Sequence, residues 1–360
     1  MKMTSNGSAE VSPTLYPVDN CTNNAEFWEL LSSLQPIYLS LISIVGLLGN
    51  GFVLCVFCLQ RKSCSVPDVY LGNLAVADLV MVTCLPFWAV TIAYDFDWVF
   101  GMPLCKLVNV AISMNYFCSV LFLVLVSVDR YLALVKPMRP SCLRRAPWAK
   151  RICLVIWLLG LLLSLPVLLF RTVEYVPEAG VSACFLAYPH QGWRVQRNVT
   201  INVVGFLVPL PIVAFCTCHI LKALRNSGQL GVAAPGMRNE RKATQLVLAV
   251  LIIFVICWMP YQIVRALDTM DYFRVTTSCL WGDFMDVSEQ LVTYLAYSNS
   301  AINPFLYVIV GKHFRKKAKA VLKQFRPFRS KDNASLSVNV SSLSRETQRI
   351  SFNRLDKRMC

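Results

Sequence analysis

Seven long apolar stretches restrict this chain to very few architectures. They run over residues 36–60, 68–93, 104–135, 148–170, 200–222, 246–268 and 287–310. Each is long enough to cross a bilayer as a helix, and lipid offers its backbone groups no hydrogen-bond partner other than one another. The proportions of 56% hydrophobic and 15% charged residues also exclude an ordinary soluble domain. The sequence therefore predicts an all-α membrane protein, a seven-transmembrane helix bundle with a short amphipathic eighth helix.

The distribution of charge predicts how the bundle is oriented. Lys and Arg are concentrated after the first, third, fifth and seventh stretches, whereas Asp and Glu are concentrated in the other connections and before residue 36. Because positively charged loops stay on the cytoplasmic side, the amino terminus is expected outside the cell. The formal charge of +15 then belongs to the inner face, which favours membrane lipids as partners and not nucleic acid.

Four segments follow from this arrangement. We expect an extracellular tail at 1–34, the bundle at 35–311, an amphipathic membrane-surface helix at 312–325 and a disordered, serine-rich cytoplasmic tail at 326–360. The first tail has glycosylation sequons at Asn6 and Asn20. It has no positively charged start followed by a short apolar run, so no cleaved signal peptide is expected.

An aspartate lies inside the second apolar stretch. A charge at the depth of Asp78 is costly in lipid and is expected to face the bundle interior. Two interpretations stay open: a pocket for an allosteric sodium ion, or a satisfied polar network without an ion. No other metal and no cofactor is expected. The candidate partners of Asp78 carry amide or hydroxyl groups: Asn50, Asn115, Ser119, Asn299 and Asn303.

Short motifs mark the other stretches. The third ends in Asp129-Arg130-Tyr131, which alone indicates no more than an interfacial ion pair. In the sixth, Pro260 lacks a backbone donor and is expected to kink the helix. The remaining motifs follow one per stretch, in order: Trp157, Pro209, Cys257-Trp258-Met259-Pro260 and Asn303-Pro304-Phe305-Leu306-Tyr307.

Together these motifs resemble the class A (rhodopsin-like) G-protein-coupled receptors over residues 36–324. Within that class the chain resembles the bradykinin (kinin) receptors, and the matches favour the type 2 subtype. The resemblance implies a plasma-membrane receptor that signals through a heterotrimeric G protein, with Gq, phospholipase C and calcium release, and a tail that meets arrestin and receptor kinases. The matching stretches are 69–75, 85–88, 96–98, 112–115, 126–136, 296–300 and 307–312.

The resemblance also implies a signalling switch. Agonist is expected to favour a state in which the sixth helix swings outward at its cytoplasmic end. Glu240 stands where many members of the class have an acid facing the arginine of the third helix, so an Arg130–Glu240 pair is expected to favour the inactive state. The implied switch residues are Asp129, Arg130, Tyr131, Glu240, Trp258, Pro260 and Tyr307.

For the ligand, the resemblance assigns the amino-terminal arginine of a kinin to two acids, Asp268 and Asp286. By themselves these residues could equally be solvated loop charges. Arg171 is a candidate for binding a carboxylate. Aromatic side chains suited to an apolar, proline-rich peptide complete the set: Trp88, Tyr261 and Tyr297.

Ser113 predicts which kinin is preferred. The related subtype that recognises peptides lacking the carboxy-terminal arginine has a lysine at this place, which would repel that arginine. A serine predicts preference for the intact peptide. The alternative is that Ser113 only packs against a neighbouring helix.

Four cysteines are expected outside the cell: Cys21, Cys105, Cys184 and Cys279. Spacing leaves all three pairings open. The resemblance implies a Cys105–Cys184 disulfide, which leaves Cys21 with Cys279.

Other classes of function compete. A receptor for another small peptide, angiotensin- or chemokine-like, shares most of these features. A transporter is expected to show internal repeats or broken helices in matching halves, and the sequence shows neither. An enzyme is not expected, because His190, His219 and His313 fall in three separate segments.

Overall fold

The computed structural model describes residues 25–60, 64–136, 146–229, 235–273 and 279–325. The chain divides into a compact unit of residues 1–321 and a second unit of residues 322–360, of which 322–325, the end of the last helix, are described. The helices are α1 Ala25–Leu59, α2 Val66–Ala93, α3 Gly101–Leu134, α4 Ala146–Leu163, α5 Leu165–Phe170, α6 Gly192–Asn202, a π-helical turn Val203–Leu207, α7 Pro209–Gln229, α8 Pro235–Tyr272, α9 Cys279–Ile309 and α10 Lys312–Phe325.

Each of the seven predicted stretches is helical, apart from single residues at an end or at an interruption. Among the described residues, five helical spans are long and apolar enough to cross a membrane: Glu29–Leu59, Val66–Ala93, Gly101–Leu134, Gly192–Asn226 and Leu248–Tyr272. α4 has only 18 residues and ends just before α5. The polar residues of α9 lower its hydropathy, although Ser300 and Asn303 are buried inside the bundle. The apolar pattern thus located all seven helices.

Several helices extend beyond the apolar stretches. α1 begins at Ala25, inside the predicted tail, and α6 begins at Gly192, before the predicted fifth stretch at 200–222. α8 has 38 residues, or about 57 Å at 1.5 Å per residue, which exceeds the thickness of a bilayer core. Hydropathy marks only the part of a helix that lies in lipid, whereas backbone hydrogen bonding continues through the polar residues that follow.

A β-hairpin between α5 and α6 was not predicted. β1 (Arg171–Val176) pairs antiparallel with β2 (Val181–Leu186), and Gly180 adopts a positive φ of 68° in the turn. The signal was present, since residues rich in Val and Thr flank a Pro-Glu-Ala-Gly turn. A disulfide joins β2 to α3, with the Sγ atoms of Cys105 and Cys184 2.01 Å apart, which confirms the pairing that the resemblance implied.

The apolar core between α1, α2, α3 and α9 fixes the helices that carry the polar residues. Val53, Leu74 and Phe122 are fully buried in it. α10 packs through one face: the Phe314 ring stands edge-on to that of Phe57, with centroids 5.7 Å apart. Since Ala318 and Val321 are buried on the same helix, α10 is amphipathic, as expected for the eighth helix.

Candidate functional site

A cavity of about 990 Å³ opens at the end of the bundle that carries the β-hairpin, called here the hairpin end. Its walls come from α1, α2, α3, α6, α8, α9 and the hairpin, so no single segment of sequence defines it. The volume is at the upper end of the range for small-ligand sites. All seven residues that the sequence suggested for ligand binding line this cavity: Trp88, Ser113, Arg171, Tyr261, Asp268, Asp286 and Tyr297.

The floor of the cavity is aromatic and connects to the middle of α8. The Tyr116 ring packs on the Trp258 indole, with centroids 4.5 Å apart. Gln262 Nε2 donates to the Tyr116 hydroxyl at 2.6 Å, and that hydroxyl donates to the Ile201 carbonyl at 3.1 Å. Sequence reasoning gave Tyr116 and Gln262 no role. Their signals were weak: Tyr116 lies three residues after Ser113, on the same helical face, and Gln262 lies two after Pro260.

Arg171, the first residue of β1, brings a cation into the cavity. Its guanidinium lies over the Trp88 ring, 5.4 Å from the centroid, and its buried Nε has no hydrogen-bond partner among the described residues. Burial, followed by the nearby Arg197, lowers the pKa of Arg171 to about 10. The buried Tyr188 hydroxyl also has no partner in this part of the chain, and burial raises its pKa. An entering anion would relieve both groups.

The two acids suggested for the ligand differ sharply in their surroundings. Asp268 is only 6% exposed, and its Oδ2 accepts hydrogen bonds from Arg194 Nε at 3.1 Å and Asn198 Nδ2 at 2.7 Å. Arg194 Nη2 also binds the other oxygen, Oδ1. Asp286 is half-buried, and within the described part of the chain nothing bonds or ion-pairs with its carboxylate. Asp268, expected to await a ligand, is therefore already paired inside this chain.

A second arginine–acid pair crosses the cavity from α8 to α9. Arg265 is 8% exposed, ion-pairs with Glu289 and lies over the Tyr261 ring, 5.0 Å from its centroid. Sequence reasoning missed this pair, because the sequence alone does not show that two helices bring these residues together.

Ser113 both faces the cavity and contacts a neighbouring helix. It lines the cavity from α3, and the Ser164 hydroxyl, just before α5, donates to the Ser113 hydroxyl at 3.0 Å. The geometry is compatible with either interpretation of this serine.

Beneath the cavity, Asp78 is fully buried and held by three neutral donors. Asn115 Nδ2 donates to Oδ1 at 3.1 Å, and Asn303 Nδ2 donates to Oδ2 at 2.8 Å. The third donor is the Ser300 hydroxyl, 2.7 Å from Oδ1, which sequence reasoning did not include. Ser119 joins the network through Asn115 Nδ2, 3.4 Å from its hydroxyl.

The set of oxygen atoms around Asp78 fits a hard cation. The side-chain oxygens of Asn50, Asn299 and Asn303 are buried, and none meets a donor among the described residues. Asn299 makes no bond to Asp78, unlike the adjacent Ser300, because successive residues of α9 point in different directions. Hard cations prefer carboxylate, amide and hydroxyl oxygens. Within the same described ranges, no group of three or more His, Cys, Asp or Glu could hold a metal ion.

The predicted switch residues lie in three helices, α3, α8 and α9. Arg130 Nη2 pairs with the neighbouring Asp129 Oδ2 at 2.7 Å, and the Tyr131 ring packs against Phe215, 5.6 Å between centroids. Trp258 and Tyr307 are buried. Pro260 lies inside the continuous helix α8.

Several predicted sites lie outside the described residues. Asn6, Asn20 and Cys21 belong to them, and so do the side chains of Glu240 and Cys279. The Arg130–Glu240 pair, the Cys21–Cys279 disulfide and the glycans stay predictions.

Comparison with known proteins gives the class of the chain. Residues 49–307 match the 7 transmembrane receptor (rhodopsin family). The chain is 50% identical over 305 residues to the B2 bradykinin receptor of Mus musculus, covering 84% of this chain and 77% of that protein. It is 48% identical over 313 residues to the B2 bradykinin receptor of Cavia porcellus, covering 86% and 83%. Similarity to the B1 bradykinin receptor of Homo sapiens is lower, at 40% over 307 residues, covering 85% and 87%.

This chain therefore belongs to the rhodopsin family of seven-transmembrane receptors and, within it, to the bradykinin receptors. It is a multi-pass membrane protein of a receptor family, not an enzyme.

Proposed function

We propose that this chain is a plasma-membrane receptor for intact kinin peptides, with the hairpin end outside the cell. The cavity carries the proposal: it combines an arginine, Arg171, whose Nε has no hydrogen-bond partner among the described residues, with an acid, Asp286, and an aromatic lining. A peptide that has charged groups and an apolar body complements these three features. The curated relatives are named as bradykinin receptors, which supports the same ligand class.

In this proposal the peptide's carboxylate binds near Arg171 and its amino-terminal arginine binds an acid at the outer ends of α8 and α9. Trp88 and Tyr297 provide apolar surface between them. Ser113 leaves room for the carboxy-terminal arginine, whose side chain meets no like charge on α3 at this level.

The test is a calcium-release assay on cells that express the chain. Intact bradykinin, its form without the carboxy-terminal arginine, an angiotensin and a chemokine are applied over the same concentration range, with untransfected cells as control. We expect the lowest half-maximal concentration for the intact kinin. A stronger response to an angiotensin or a chemokine would mean that the ligand is a peptide of that class and not a kinin. Binding of the kinin without calcium release would contradict Gq coupling.

Activation is proposed as a shift in population between two arrangements of α8. The contact of Tyr116 with Trp258 connects the cavity floor to α8 near Pro260, where a missing backbone donor makes bending easier. The swing would open a binding site for a G protein at the end that carries Arg130. Arrestin and receptor kinases are proposed to act on residues 326–360.

Basal signalling tests this switch. Glu240→Gln is expected to raise ligand-independent inositol phosphate production, because it removes the acid proposed to restrain Arg130. Arg130→Ala is expected to abolish coupling while binding of radiolabelled kinin persists. Unchanged basal signalling in Glu240→Gln at matched surface expression contradicts the proposed restraint.

For the Asp78 network we propose an allosteric sodium ion. Asp78, Ser119, Asn115 and the orphaned oxygens of Asn299 and Asn303 would hold it, and the ion would neutralise the carboxylate and favour the inactive packing. Competition curves for a kinin in sodium and in N-methyl-D-glucamine are expected to differ in the unmodified chain and coincide in Asp78→Asn. Identical curves for the unmodified chain would leave only a structural network.

A further inference from the structure

A cysteine lies in the short connection between α1 and α2, just outside the membrane-crossing part of α1. That part ends at Leu59, and α2 begins at Val66. Cys64, between them, is exposed and forms no disulfide. With the hairpin end outside the cell, as proposed above, this connection lies on the cytosolic side, at the surface of the inner leaflet.

The last turn of α1 positions the Cys64 thiol. Its S–H donates to the Phe57 carbonyl, with 3.7 Å between Sγ and the oxygen, and Gln60 Nε2 donates to Sγ at 2.9 Å. Neither contact buries the residue, so the sulfur is accessible to a reagent from the cytosol. The thiol of Cys118, by comparison, is buried inside the bundle and has no such access.

The surroundings of Cys64 combine positive charge with apolar surface. Arg61 and Lys62 precede it in the sequence, and such cations are attracted to the anionic lipids of the inner leaflet. The neighbouring end of α1 exposes apolar side chains at helical spacing, which face lipid when the helix crosses a membrane: Leu48, Phe52, Cys55 and Leu59. A hydrocarbon chain attached at Cys64 would therefore enter the leaflet directly beside α1.

Cys64 also lies, in sequence, between two residues that hold α10 in place. Phe57 packs edge-on against Phe314 of α10. Asp68 forms an ion pair with Lys317 of the same helix. α10 itself contains no cysteine. A hydrocarbon chain at Cys64 would thus add apolar surface close to α10 without requiring a thiol in that helix.

We propose that Cys64 is an S-acylation site for a long-chain fatty acyl group. A cysteine next to a membrane-crossing segment has the position that this modification requires, and each methylene group that enters the leaflet favours the attached state. The proposal takes from the proposed function only the orientation of the bundle.

The reaction is a transfer between two thioesters. The Cys64 thiolate attacks the carbonyl carbon of a fatty acyl-coenzyme A. A bond forms between Sγ and that carbon, the bond from the carbon to the coenzyme A sulfur breaks, and the proton lost by the Cys64 thiol passes to the coenzyme A thiolate. Nothing is oxidised or reduced.

The test is an acyl-exchange assay on receptor expressed in cells. Free thiols are blocked with N-ethylmaleimide, thioesters are cleaved with hydroxylamine, and the released thiols are coupled to a maleimide-polyethylene glycol that retards the receptor on a gel. Cys142 and Cys360, which lie outside the described residues, are replaced by Ser in every variant, so that their thiols do not contribute. In this background chain we expect a hydroxylamine-dependent shift of one polyethylene glycol unit.

Cys64→Ser is expected to abolish the shift. Cys55→Ser is the matched control, because it removes another exposed thiol, which lies in the membrane-crossing part of α1, about 6 Å along the axis from Leu59. Cys58→Ser is a second control, since this exposed thiol lies in the last turn of the same span. Both controls should keep the shift.

Staining of an amino-terminal epitope on intact cells reports whether each variant reaches the surface. If Cys64→Ser does not, Cys64→Ala is used in its place. Absence of the shift in a background chain that reaches the surface would overturn the proposal, and so would a shift that survives Cys64→Ser or is lost in Cys58→Ser.

Kinin-induced calcium release is measured on the same cells. A chain that responds to the kinin without a shift would overturn only the acylation site. A chain that shows the Cys64-dependent shift without binding a kinin would support the acylation site and contradict the proposed function.

Discussion

Asp78 and Asp268 are both buried carboxylates in the same bundle, yet their partners differ in kind. Asp78 is 0% exposed and receives hydrogen bonds from two amides and a hydroxyl, all neutral. Asp268 is 6% exposed and receives a guanidinium and one amide. Neutral donors satisfy the oxygen lone pairs but leave the charge uncompensated, whereas a guanidinium supplies both the hydrogen bonds and the opposite charge.

This difference in partners indicates different roles for Asp78 and Asp268, which the sequence alone does not distinguish. Asp78, whose hydrogen bonds come from neutral donors, is the carboxylate at which we propose a reversible sodium ion. A carboxylate that is already neutralised ties two helices together, so Asp268 is suited to bracing α6 against α8. Removing each carboxylate should therefore lower the stability of the protein by a different amount. The loss at Asp268 should be reduced when its charged partner is removed as well.

The largest effect is expected for Asp78→Ala. This change leaves three buried donors without an acceptor, and each such group costs about 1–3 kcal/mol. We expect severe loss of surface receptor and a lowered melting temperature for purified protein in detergent. Asp78→Asn, which keeps an acceptor oxygen, is the matched control and should be milder. If the Asp78→Ala protein were as stable as the unmodified protein, the hydrogen bonds of Asp78 would not be the larger contribution to stability, contrary to the comparison with Asp268.

Ser113→Lys places a cation in the cavity, on α3. The new cation would lie in the cavity near the carboxy-terminal arginine of an intact kinin, and like charges about 4 Å apart repel by about 4 kcal/mol at an effective dielectric of 20. The preference for the intact over the des-arginine peptide is expected to fall by about a hundredfold or more in competition binding. Ser113→Ala removes only the hydroxyl bonded to Ser164 and should leave the preference intact. Equal loss of affinity for both peptides in the lysine variant would favour the packing interpretation.

Asp268→Asn should destabilise the protein, and Arg194→Gln added to it should restore much of the loss. Breaking a fully buried pair costs about 3–5 kcal/mol, and we expect about 1–3 kcal/mol here because the Arg194 side chain is 33% exposed. A double-mutant cycle on thermal unfolding measures the coupling. Additive losses in the double variant would mean that the pair is not a brace.

The smallest effect is expected for Glu289→Gln. Its side chain is 44% exposed, so solvent screens the pair with Arg265, and the Tyr261 ring continues to stabilise the cation. The loss should stay below about 1 kcal/mol and shrink further in high salt. A loss of stability as large as that of Asp268→Asn would show that solvent exposure does not determine how much each ion pair stabilises the protein.

Features that depend on residues close together in the sequence could be predicted, whereas features that depend on how helices pack could not. The seven helices and the polar environment of Asp78 could be predicted, because lipid forces apolar residues into helices and forces a buried charge to find partners. The choice between Asn299 and Ser300 as a partner could not, because it depends on the rotation of α9. The hairpin was missed although its turn residues were visible, since a connecting loop was expected between the fourth and fifth helices.

What the sequence by itself determined is the class of protein and the order of its helices, which follow from hydropathy and from motifs read along the chain, together with seven of the residues that line the cavity. Only the tertiary structure decided which charges are paired. Arg194 and Asp268 lie in different helices, as do Arg265 and Glu289, and each pair forms because helix packing brings its two side chains together. Whether an acid is available to a ligand therefore depends on its neighbours in space, and the spacing of residues along the sequence does not reveal those neighbours.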